Sequence, residues 1–245
     1  CILLPRLGHL ATERPLLQVM KKTFGNPQRI NQSLIDKIKN TKINLEYIKK
    51  KKSFEDFILN EIKTEDEVLD IGKTMGDKRH QIIKCKTLHT LDLNDFGEYP
   101  NIVFDICSEL ESELQEKYDK IICLAILEHV YNPFKAVENL KKMLKKNGII
   151  YGYVPYLYHY HAHKKFKFQD YFRFSKDALV YLFKDFKDLE LFPLRGRYSH
   201  AFNIMFPGRW KNYVEKTGIN IFLDKFASDE KNTKQCSGFY FIVKK

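Results

Sequence analysis

The chain has 245 residues, of which 44% are hydrophobic, and its net charge is +11, which suits one large domain with an appendage. No stretch approaches the roughly 18 consecutive apolar residues of a transmembrane helix, so we expect no membrane span. The five cysteines are scattered without a C-x-x-C pair, which argues against a disulfide framework or a thiolate zinc site and fits a reducing cytoplasm.

Much of the positive charge lies in the N-terminal quarter. Residues 1–64 carry 13 Lys and Arg against 6 Asp and Glu, and the excess centres on YIKKKKSF (47–54). Such a run is typical of a solvated face, with binding to nucleic acid or a membrane surface as the alternative. Apolar residues recur every three or four positions across 16–24 and 32–62, which predicts helices. We therefore expect residues 1–64 to form an N-terminal helical accessory segment.

From residue 65 onward, short apolar stretches alternate with helical patterns. The predicted strands are EVLDIG (67–72), TLHTLDLN (87–94), NIVFDI (101–106), YDKIICLAIL (118–127), GIIYGYVP (148–155), LELFPL (189–194) and GFYFIVKK (238–245). Helices are predicted over 132–148, with Gly148 just past the end, and over 175–186, with Ser175 as the N-cap. This alternation predicts an α/β domain over 65–245 with a doubly wound, mostly parallel sheet.

The turn after the first predicted strand has the composition of a ligand-binding loop. VLDIGKTMG (68–76) combines an acidic residue with glycines, which let the backbone approach a ligand closely. Asp92 follows Gly72 by twenty residues at the end of the second strand, where a carboxylate can accept hydrogen bonds from both ribose hydroxyls. Dinucleotide-binding folds share this pattern, whereas the spacing of a P-loop is absent. We expect the ligand beyond the carboxyl ends of the central strands.

Five stretches, taken in order, resemble the class I S-adenosylmethionine-dependent methyltransferases. They are VLDIGKTMG (68–76), LDLND (91–95), FDIC (104–107), YDKIICLAILEHVYNP (118–133) and LKKMLKKNGIIYGYVP (140–155). The LEHV…P stretch resembles a bacterial subset that is often linked to cell-surface polysaccharide or sugar modification. The resemblance covers about residues 65–195. It implies a Rossmann-like, doubly wound, seven-stranded and mostly parallel sheet whose last strand, GFYFIVKK, is antiparallel.

The same resemblance implies S-adenosylmethionine as cofactor, S-adenosylhomocysteine as product, and a set of cofactor-binding residues. These are Asp70, Gly72 and Gly76 at the methionine end, Asp92 at the ribose, Asp105 and Ile106 at the adenine, and Leu124 and Ala125 near the methyl sulfonium. Thr74 departs from the family, which usually has glycine there. Because its Cβ narrows the backbone approach, Thr74 also leaves a non-catalytic, methyltransferase-like scaffold as an alternative.

The loop after the fifth predicted strand is rich in histidine and aromatic residues. YHYHAH (158–163) leads into a stretch that resembles a "P…H…DY-aromatic-RF" pattern of relatives, met by His161, Asp170, Tyr171, Arg173 and Phe174. We expect an acceptor-facing lid in which Tyr158, Asp170, Tyr171 and Arg173 contact the substrate. Asp170 either orients a histidine or pairs with Arg173. We expect no metal, because H-x-H-x-H shows no further ligand or second shell in the sequence.

Methyl transfer to a hydroxyl requires a base, since the acceptor's proton must leave as the new bond forms. Neutral imidazole suits this role and typically contributes about 10²–10⁴-fold in rate. His161 is the first candidate and His159 the second. His129 is the third, although Glu128 and His129 can instead stabilise the strand–helix turn. A solvated or stacking loop without chemistry also remains open for the histidines of 158–163.

The sequence therefore favours a cytoplasmic O-methyltransferase for a small acceptor, a sugar or a nucleotide-linked or phosphorylated sugar of capsule or lipopolysaccharide biosynthesis. Phosphate on such an acceptor would meet Lys164, Lys165, Lys167 or Arg173. RNA or DNA methylation through the basic N-terminal segment is the alternative. It is disfavoured because no Asp/Asn-Pro-Pro-aromatic stretch follows the fourth strand. Nothing in the sequence indicates an oligomeric state.

Overall fold

The computed structural model of the chain describes residues 32–49, 54–72, 79–162, 168–205 and 216–245. The helices are α1 Gln32–Asn40, α2 Glu46–Lys49, α3 Phe54–Glu61, α4 Arg79–Ile82, α5 Pro133–Met143, α6 Lys176–Leu182, α7 Arg197–Met205, α8 Ile219–Asp224 and α9 Asp229–Lys234. The strands are β1 Lys42–Ile43, β2 Glu67–Ile71, β3 Thr87–Asp92, β4 Ile102–Val103, β5 Tyr118–Leu124, β6 Leu144–Pro155, β7 Asp188–Leu194 and β8 Gly238–Lys244. Within these residues, no helix is long and apolar enough to cross a membrane.

The described strands form one sheet in the order β1-β7-β8-β6-β5-β2-β3-β4. Every neighbouring pair is parallel except those of β8, which runs antiparallel to both β6 and β7. The predicted Rossmann-like sheet with an antiparallel last strand is therefore confirmed. The direction of strand addition reverses between β2 and β5, and open sheets of this kind bind ligands at such a point.

Successive residues of a strand point to opposite faces of the sheet, and in the central strands both faces are buried. Leu69 of β2 and Ile121 of β5 are fully buried in one apolar cluster. Val68 and Ile122 lie in a second cluster together with Phe54 of α3. Burial on both faces explains why β2 and β5 are nearly continuous apolar runs rather than alternating ones.

An eighth strand, β1, extends the sheet beyond the seven that the sequence predicts. Lys42 pairs with Glu190 and Ile43 with Leu191 of β7, and the Asn44 N–H donates to the Leu191 carbonyl at 2.8 Å. Residues 32–62 were expected to be helical throughout. Two residues are too few to show the alternating pattern of a strand in the sequence. β1 is a strand only because it pairs with the edge of β7.

Helix α3 belongs to the same core as the sheet. Phe54 and Ile58 are each 2% exposed, and the Phe54 ring stacks on Tyr240 of β8 with centroids 4.4 Å apart. In α1, Lys37 Nζ donates to the Lys184 carbonyl at 2.6 Å. Elements before residue 64 are thus packed on the sheet domain, and the proposed division of the chain at that residue stays a prediction.

Helix α5 is shorter than the sequence predicts. The Asn132 side chain accepts from the Lys135 N–H at 3.1 Å and Pro133 opens the first turn, as expected at an N-terminus. The helix ends at Met143, because Leu144 is extended, fully buried and paired with Tyr118 at the start of β6. Gly148 therefore lies inside a strand and does not end the helix. Ser175 caps α6 as predicted, accepting from the Ala178 N–H at 3.2 Å.

The start of α7 is held by a carboxylate from α8. Asp224 is 2% exposed and accepts from the backbone N–H groups of Gly196, Tyr198 and Ser199 at 2.8–3.0 Å, and from the Ser199 hydroxyl at 2.5 Å. The first N–H groups of a helix have no acceptor within the helix, and this carboxylate acts as their hydrogen-bond acceptor. Asp224 thereby fixes the connection between β7 and β8.

Replacing Asp224 with alanine is expected to lower the free energy of unfolding by about 2 kcal/mol, since it removes an N-cap and leaves several donors unpaired. Urea denaturation followed by circular dichroism measures the change. The matched control is Asp185→Ala, an exposed aspartate that should cost no more than about 0.5 kcal/mol. Equal losses in the two variants would contradict the capping role.

Candidate functional site

The carboxyl ends of β2, β3 and β5 surround a cavity of about 350 Å³. Its lining includes Ile71, Gly72, Leu91, Asp92, Phe104, Asp105, Ile106, Leu124, Ala125, Ile126, His129, Tyr131, His161 and Phe168. This is the reversal point between β2 and β5, where the sequence predicts a ligand. The cavity brings together most of the predicted cofactor residues and two of the predicted catalytic histidines.

The backbone that lines this cavity requires glycine at position 72. It adopts φ +68°, and its N–H donates to the Leu91 carbonyl at 2.8 Å, which joins the ends of β2 and β3. A Cβ at this position would lie 2.0 Å from Ile126 Cδ1, which also lines the cavity. Glycine is thus needed for both conformation and space.

Asp70, which the sequence predicts to bind the cofactor, lies one residue before the cavity lining. It is fully buried in β2 and does not line the cavity within the described part of the chain. Among the described residues, the cavity lining contributed by β2 and its turn begins with Ile71 and Gly72, so the predicted role of Asp70 stays a prediction. Gly76 and Thr74 lie outside the described residues, so their predicted roles stay predictions.

Two carboxylates stand on the β3 and β4 side of the cavity. Asp92 ends β3, and its Oδ1 accepts from the backbone and side-chain nitrogens of Asn94 at 2.8 and 3.3 Å. Asp105 Oδ1 accepts from the Cys107 N–H at 2.8 Å, and its Oδ2 accepts from the Tyr131 hydroxyl at 3.3 Å. These bonds hold both carboxylates at the rim, beside the apolar walls of Phe104 and Ile106.

The end of β5 turns sharply at Ala125. This residue has φ +57°, and its N–H donates to the Tyr153 carbonyl at 2.9 Å. Left-handed backbone is strained for a residue with a Cβ and often marks a functional site. The turn places Leu124 and Ala125 on the cavity floor. The following turn, closed by the His129 N–H to the Ile126 carbonyl at 2.9 Å, directs His129 toward the cavity.

Glu128, His129 and His161 form a cluster in the cavity wall. The Glu128 side chain is fully buried, and its Oε1 lies 3.5 Å from His161 Nε2 and 3.8 Å from His129 Nε2. The two imidazole rings are 4.9 Å apart, and the His129 ring is 4.6 Å from Phe168. We call these three residues the Glu-His-His cluster. It places two imidazole nitrogens and a buried carboxylate beside the cavity.

Asp170 and Arg173 hold the loop that carries His161. Both guanidinium Nη atoms contact the Asp170 carboxylate, and Arg173 also donates to the carbonyls of Tyr158 and His159 at 3.2 and 2.8 Å. Asp170 Oδ2 accepts from the His161 N–H at 2.8 Å and lies 3.3 Å from His161 Nδ1. The two roles that the sequence left open for Asp170, pairing with Arg173 and orienting a histidine, are thus both present.

Charges around His161 shift its ionisation and that of Asp170. Contact with Glu128 raises the pKa of His161 above its usual value against the opposing effect of burial, and Asp170 adds to the rise. The Arg173 guanidinium lowers the pKa of Asp170 to about 2. His161 is therefore protonated more readily than an isolated imidazole, and the Asp170 carboxylate beside it is ionised at neutral pH.

The remaining predicted lid residues lie away from the cavity lining. His159 and Tyr171 are exposed, and Tyr158 is half-buried with its ring 5.5 Å from that of His161. Lys164, Lys165 and Lys167 lie outside the described residues. Sequence reasoning undervalued Glu128, treating it only as part of a turn. Its position beside His129, in the turn that follows the buried strand β5, is the signal that points to it.

The sequence matches a known protein family. A family model described as "Methyltransferase domain" matches residues 44–185, more than half of the chain. The chain belongs to this methyltransferase family. The predicted cofactor, S-adenosylmethionine, is confirmed with the family.

Solved structures similar to the methyltransferase have low sequence identity. A SAM-dependent methyltransferase from Methanosarcina mazei is 14% identical, with 77% of this chain and 96% of that chain covered at a TM-score of 0.47. Phosphoethanolamine N-methyltransferase 2 of Haemonchus contortus is 14% identical over 93% of this chain and 59% of that chain, with a TM-score of 0.49. Coclaurine N-methyltransferase is 14% identical over 94% and 92%, with a TM-score of 0.47. No curated protein matches the chain.

Proposed function

We propose that this methyltransferase methylates a hydroxyl of a small sugar or a nucleotide-linked or phosphorylated sugar. The observation that carries the proposal is the shared wall: His129 and His161 line the same cavity as Gly72, Asp92 and the other predicted cofactor residues. A base and a cofactor site would thereby be adjacent. Methylation of an acceptor hydroxyl requires this adjacency.

The residues of the cavity fit the cofactor. Its volume is within the usual range of roughly 300–1,000 Å³ for small-molecule sites. Asp92 would accept from the ribose hydroxyls, Asp105 would face the polar edge of the adenine, and Ile106 would pack on its ring. Gly72 would let the backbone approach the methionine portion, because no Cβ occupies the space toward Ile126. Ala125 would lie beneath the reactive carbon.

The Glu-His-His cluster supplies the proton chemistry. Bound S-adenosylmethionine offers an electrophilic methyl group whose leaving sulfide is neutral, so the acceptor proton is the charge that remains to be handled. His161 Nε2 would take that proton, while Nδ1 faces the His159 carbonyl and Asp170, each at 3.3 Å. Glu128 would stabilise the resulting imidazolium. A positioned base of this kind contributes about 10²–10⁴-fold in rate.

A sugar acceptor is supported by the mouth of the site and by the sequence pattern of the lid. The Tyr158 ring lies 5.5 Å from that of His161, the cavity-lining Phe168 ring lies 4.6 Å from that of His129, and aromatic faces pack well against the C–H faces of sugars. Together with the LEHV…P resemblance, this supports a cytoplasmic, bacterial enzyme of capsule or lipopolysaccharide biosynthesis. The alternative of RNA or DNA methylation rests on the basic N-terminal segment centred on YIKKKKSF (47–54) and stays a sequence prediction, since residues 50–53 lie outside the described residues.

The acceptor class is tested with S-adenosylmethionine labelled in its methyl group. The intact enzyme is incubated with a panel of nucleotide-linked sugars, sugar phosphates, small amines and an RNA oligonucleotide. Label on a sugar hydroxyl that is lost from the corresponding deoxy sugar supports the proposal. Label that accumulates only on amines or on RNA would overturn it.

The ribose contact is tested by replacing Asp92 with alanine. Removing a charged acceptor of hydrogen bonds costs about 1.5–3 kcal/mol, so affinity for S-adenosylhomocysteine is expected to fall about 10–100-fold. Isothermal titration calorimetry measures the change. Asp95→Ala is the matched control, an exposed aspartate of the same loop whose Oδ1 accepts from the local N–H of Gly97 at 2.8 Å. Its affinity should stay at the parent value, and an equal loss would refute the assignment.

A further inference from the structure

At the Glu-His-His cluster, one carboxylate oxygen and two imidazole nitrogens direct lone pairs toward one another. His129 Nδ1 lies 2.7 Å from the Gln169 carbonyl oxygen, which can only accept, so Nδ1 carries the proton in the neutral ring. The Nε2 atom of His129 then presents its lone pair toward Glu128 Oε1. The backbone of residue 169 thereby fixes the orientation and the tautomer of this imidazole.

His161 is held in the same tautomer. Its Nδ1 faces two acceptors, the His159 carbonyl and Asp170 Oδ2, each at 3.3 Å. Its Nε2 therefore also presents a lone pair, 3.5 Å from Glu128 Oε1. Within the described residues, neither carboxylate oxygen of Glu128 has a hydrogen-bond partner, although the side chain is fully buried.

Such a convergence is stabilised by a positive charge, either a proton on His161 or a bound metal ion. A buried carboxylate without hydrogen bonds is costly, and two further lone pairs directed at it add repulsion. One proton satisfies a single imidazole–carboxylate contact and leaves the other imidazole facing an acceptor. A divalent cation satisfies all three groups at once.

We propose that Glu128, His129 and His161 bind a divalent transition-metal ion, with zinc as the best match. The three ligand atoms lie within 4.8 Å of one another. Bonds of about 2.0–2.1 Å at a tetrahedral zinc place neighbouring ligand atoms about 3.4 Å apart, close to the 3.5 and 3.8 Å separations from Glu128 Oε1. Two imidazoles favour zinc over magnesium or calcium, which prefer oxygen ligands.

The site has the arrangement of a catalytic rather than a structural centre. Three protein ligands leave a fourth position open, and both histidines line the cavity. If the proposed hydroxyl methylation holds, the acceptor oxygen occupies that position and its pKa falls on the metal. The O–H proton then leaves to solvent, the oxygen forms its bond to the methyl carbon, and the carbon–sulfur bond breaks. In the loaded enzyme, His161 Nε2 serves as a ligand in place of its role as base.

The binding test uses the full chain after treatment with a chelator. Calorimetric titration with Zn²⁺ is expected to show one equivalent bound with a Kd of about 1 μM or tighter. Titration with Co²⁺ should produce the intense visible bands of a low-coordinate site. Glu128→Gln and His129→Ala are each expected to weaken Zn²⁺ binding by about 100-fold or more. His159→Ala is the matched control and should bind like the parent, because His159 is exposed and outside the cluster.

The possible outcomes separate this proposal from the proposed function. Binding of S-adenosylhomocysteine by each variant shows that it is folded. Absence of Zn²⁺ binding, or an equal loss in His159→Ala, would overturn the metal site. Stoichiometric binding with no methylation of any hydroxyl would support the metal site and overturn the hydroxyl acceptor. Unchanged turnover after chelation, in a protein that binds Zn²⁺ through the cluster, would leave hydroxyl methylation standing and overturn the catalytic role of the metal.

Discussion

Replacing His161 with alanine is expected to lower turnover on a hydroxyl acceptor by about 10²–10⁴-fold. The variant removes the imidazole that faces Glu128 on one side and Asp170 on the other, at 3.5 and 3.3 Å. Whether His161 acts as a base or as a metal ligand, its loss removes the group that promotes deprotonation of the acceptor hydroxyl. Affinity for the cofactor product should change little, because the predicted cofactor contacts come from the ends of β2, β3 and β5.

The measurement combines single-turnover transfer of a labelled methyl group with calorimetric titration of S-adenosylhomocysteine. His159→Ala provides the control, since it removes a neighbouring histidine that does not line the cavity within the described residues. Its turnover should remain within about twofold of the parent. Intact cofactor binding with undiminished turnover in His161→Ala would eliminate this residue from the chemistry.

Replacing Gly72 with valine is expected to weaken binding of S-adenosylhomocysteine by more than about 100-fold. Its Cβ would lie 2.0 Å from Ile126 Cδ1, and relief of that contact moves a cavity-lining side chain. Overpacking of this kind costs about 1–3 kcal/mol, and left-handed backbone adds about 1–2 kcal/mol for a residue with a Cβ. Both costs fall where the cofactor is expected to meet the backbone.

Gly218→Val isolates the backbone cost. Gly218 has a similar φ of +72°, and no described atom lies within 4 Å of a Cβ built there. This variant should lose about the same stability from strain and keep its cofactor affinity. Calorimetry on both proteins, with urea denaturation to compare stability, separates the two effects. Equal cofactor affinity in the two variants would show that the space at Gly72 is not part of the binding site.

Much of the cofactor side of the site was predictable because it depends on short-range pattern. A buried strand followed by a glycine-containing turn identifies Gly72 in the sequence, and the end of the next strand identifies Asp92. The carboxyl ends of parallel strands share one edge of the sheet, so these residues had to lie near each other. Asp70 shows the limit of this reasoning. It is fully buried and is not among the described residues that line the cavity, so its predicted contact with the cofactor stays a prediction.

The part of the site expected to bind the methyl acceptor was harder to predict from the sequence, because it depends on contacts between distant segments. The sequence singles out His161, but its partner Glu128 lies 33 residues earlier and meets it only when the loop after β6 packs on the turn after β5. That packing uses main-chain bonds, such as those from Tyr171 and Phe172 to the Glu128 carbonyl at 2.8 and 3.1 Å, which leave no residue pattern. The same applies to β1, whose two residues form a strand only against β7.

The histidine-rich stretch 158–163 illustrates the difference. Alternation suggests three equivalent histidines, yet His159 is exposed, His161 reaches the cavity and His163 lies outside the described residues. The sequence disfavoured a metal because H-x-H-x-H shows no further ligands. The proposed ligands come instead from LEHV, through Glu128 and His129. Only one histidine of the stretch joins the Glu-His-His cluster.

The central claim is that the cavity at the ends of β2, β3 and β5 holds the cofactor of an active methyltransferase. Calorimetric titration of the intact chain with S-adenosylhomocysteine tests it most directly. We predict one binding site per chain with a Kd of about 1–100 μM, abolished in Gly72→Val and weakened in Asp92→Ala. No heat of binding at millimolar concentration would contradict the claim, and it would favour the non-catalytic scaffold that Thr74 suggests.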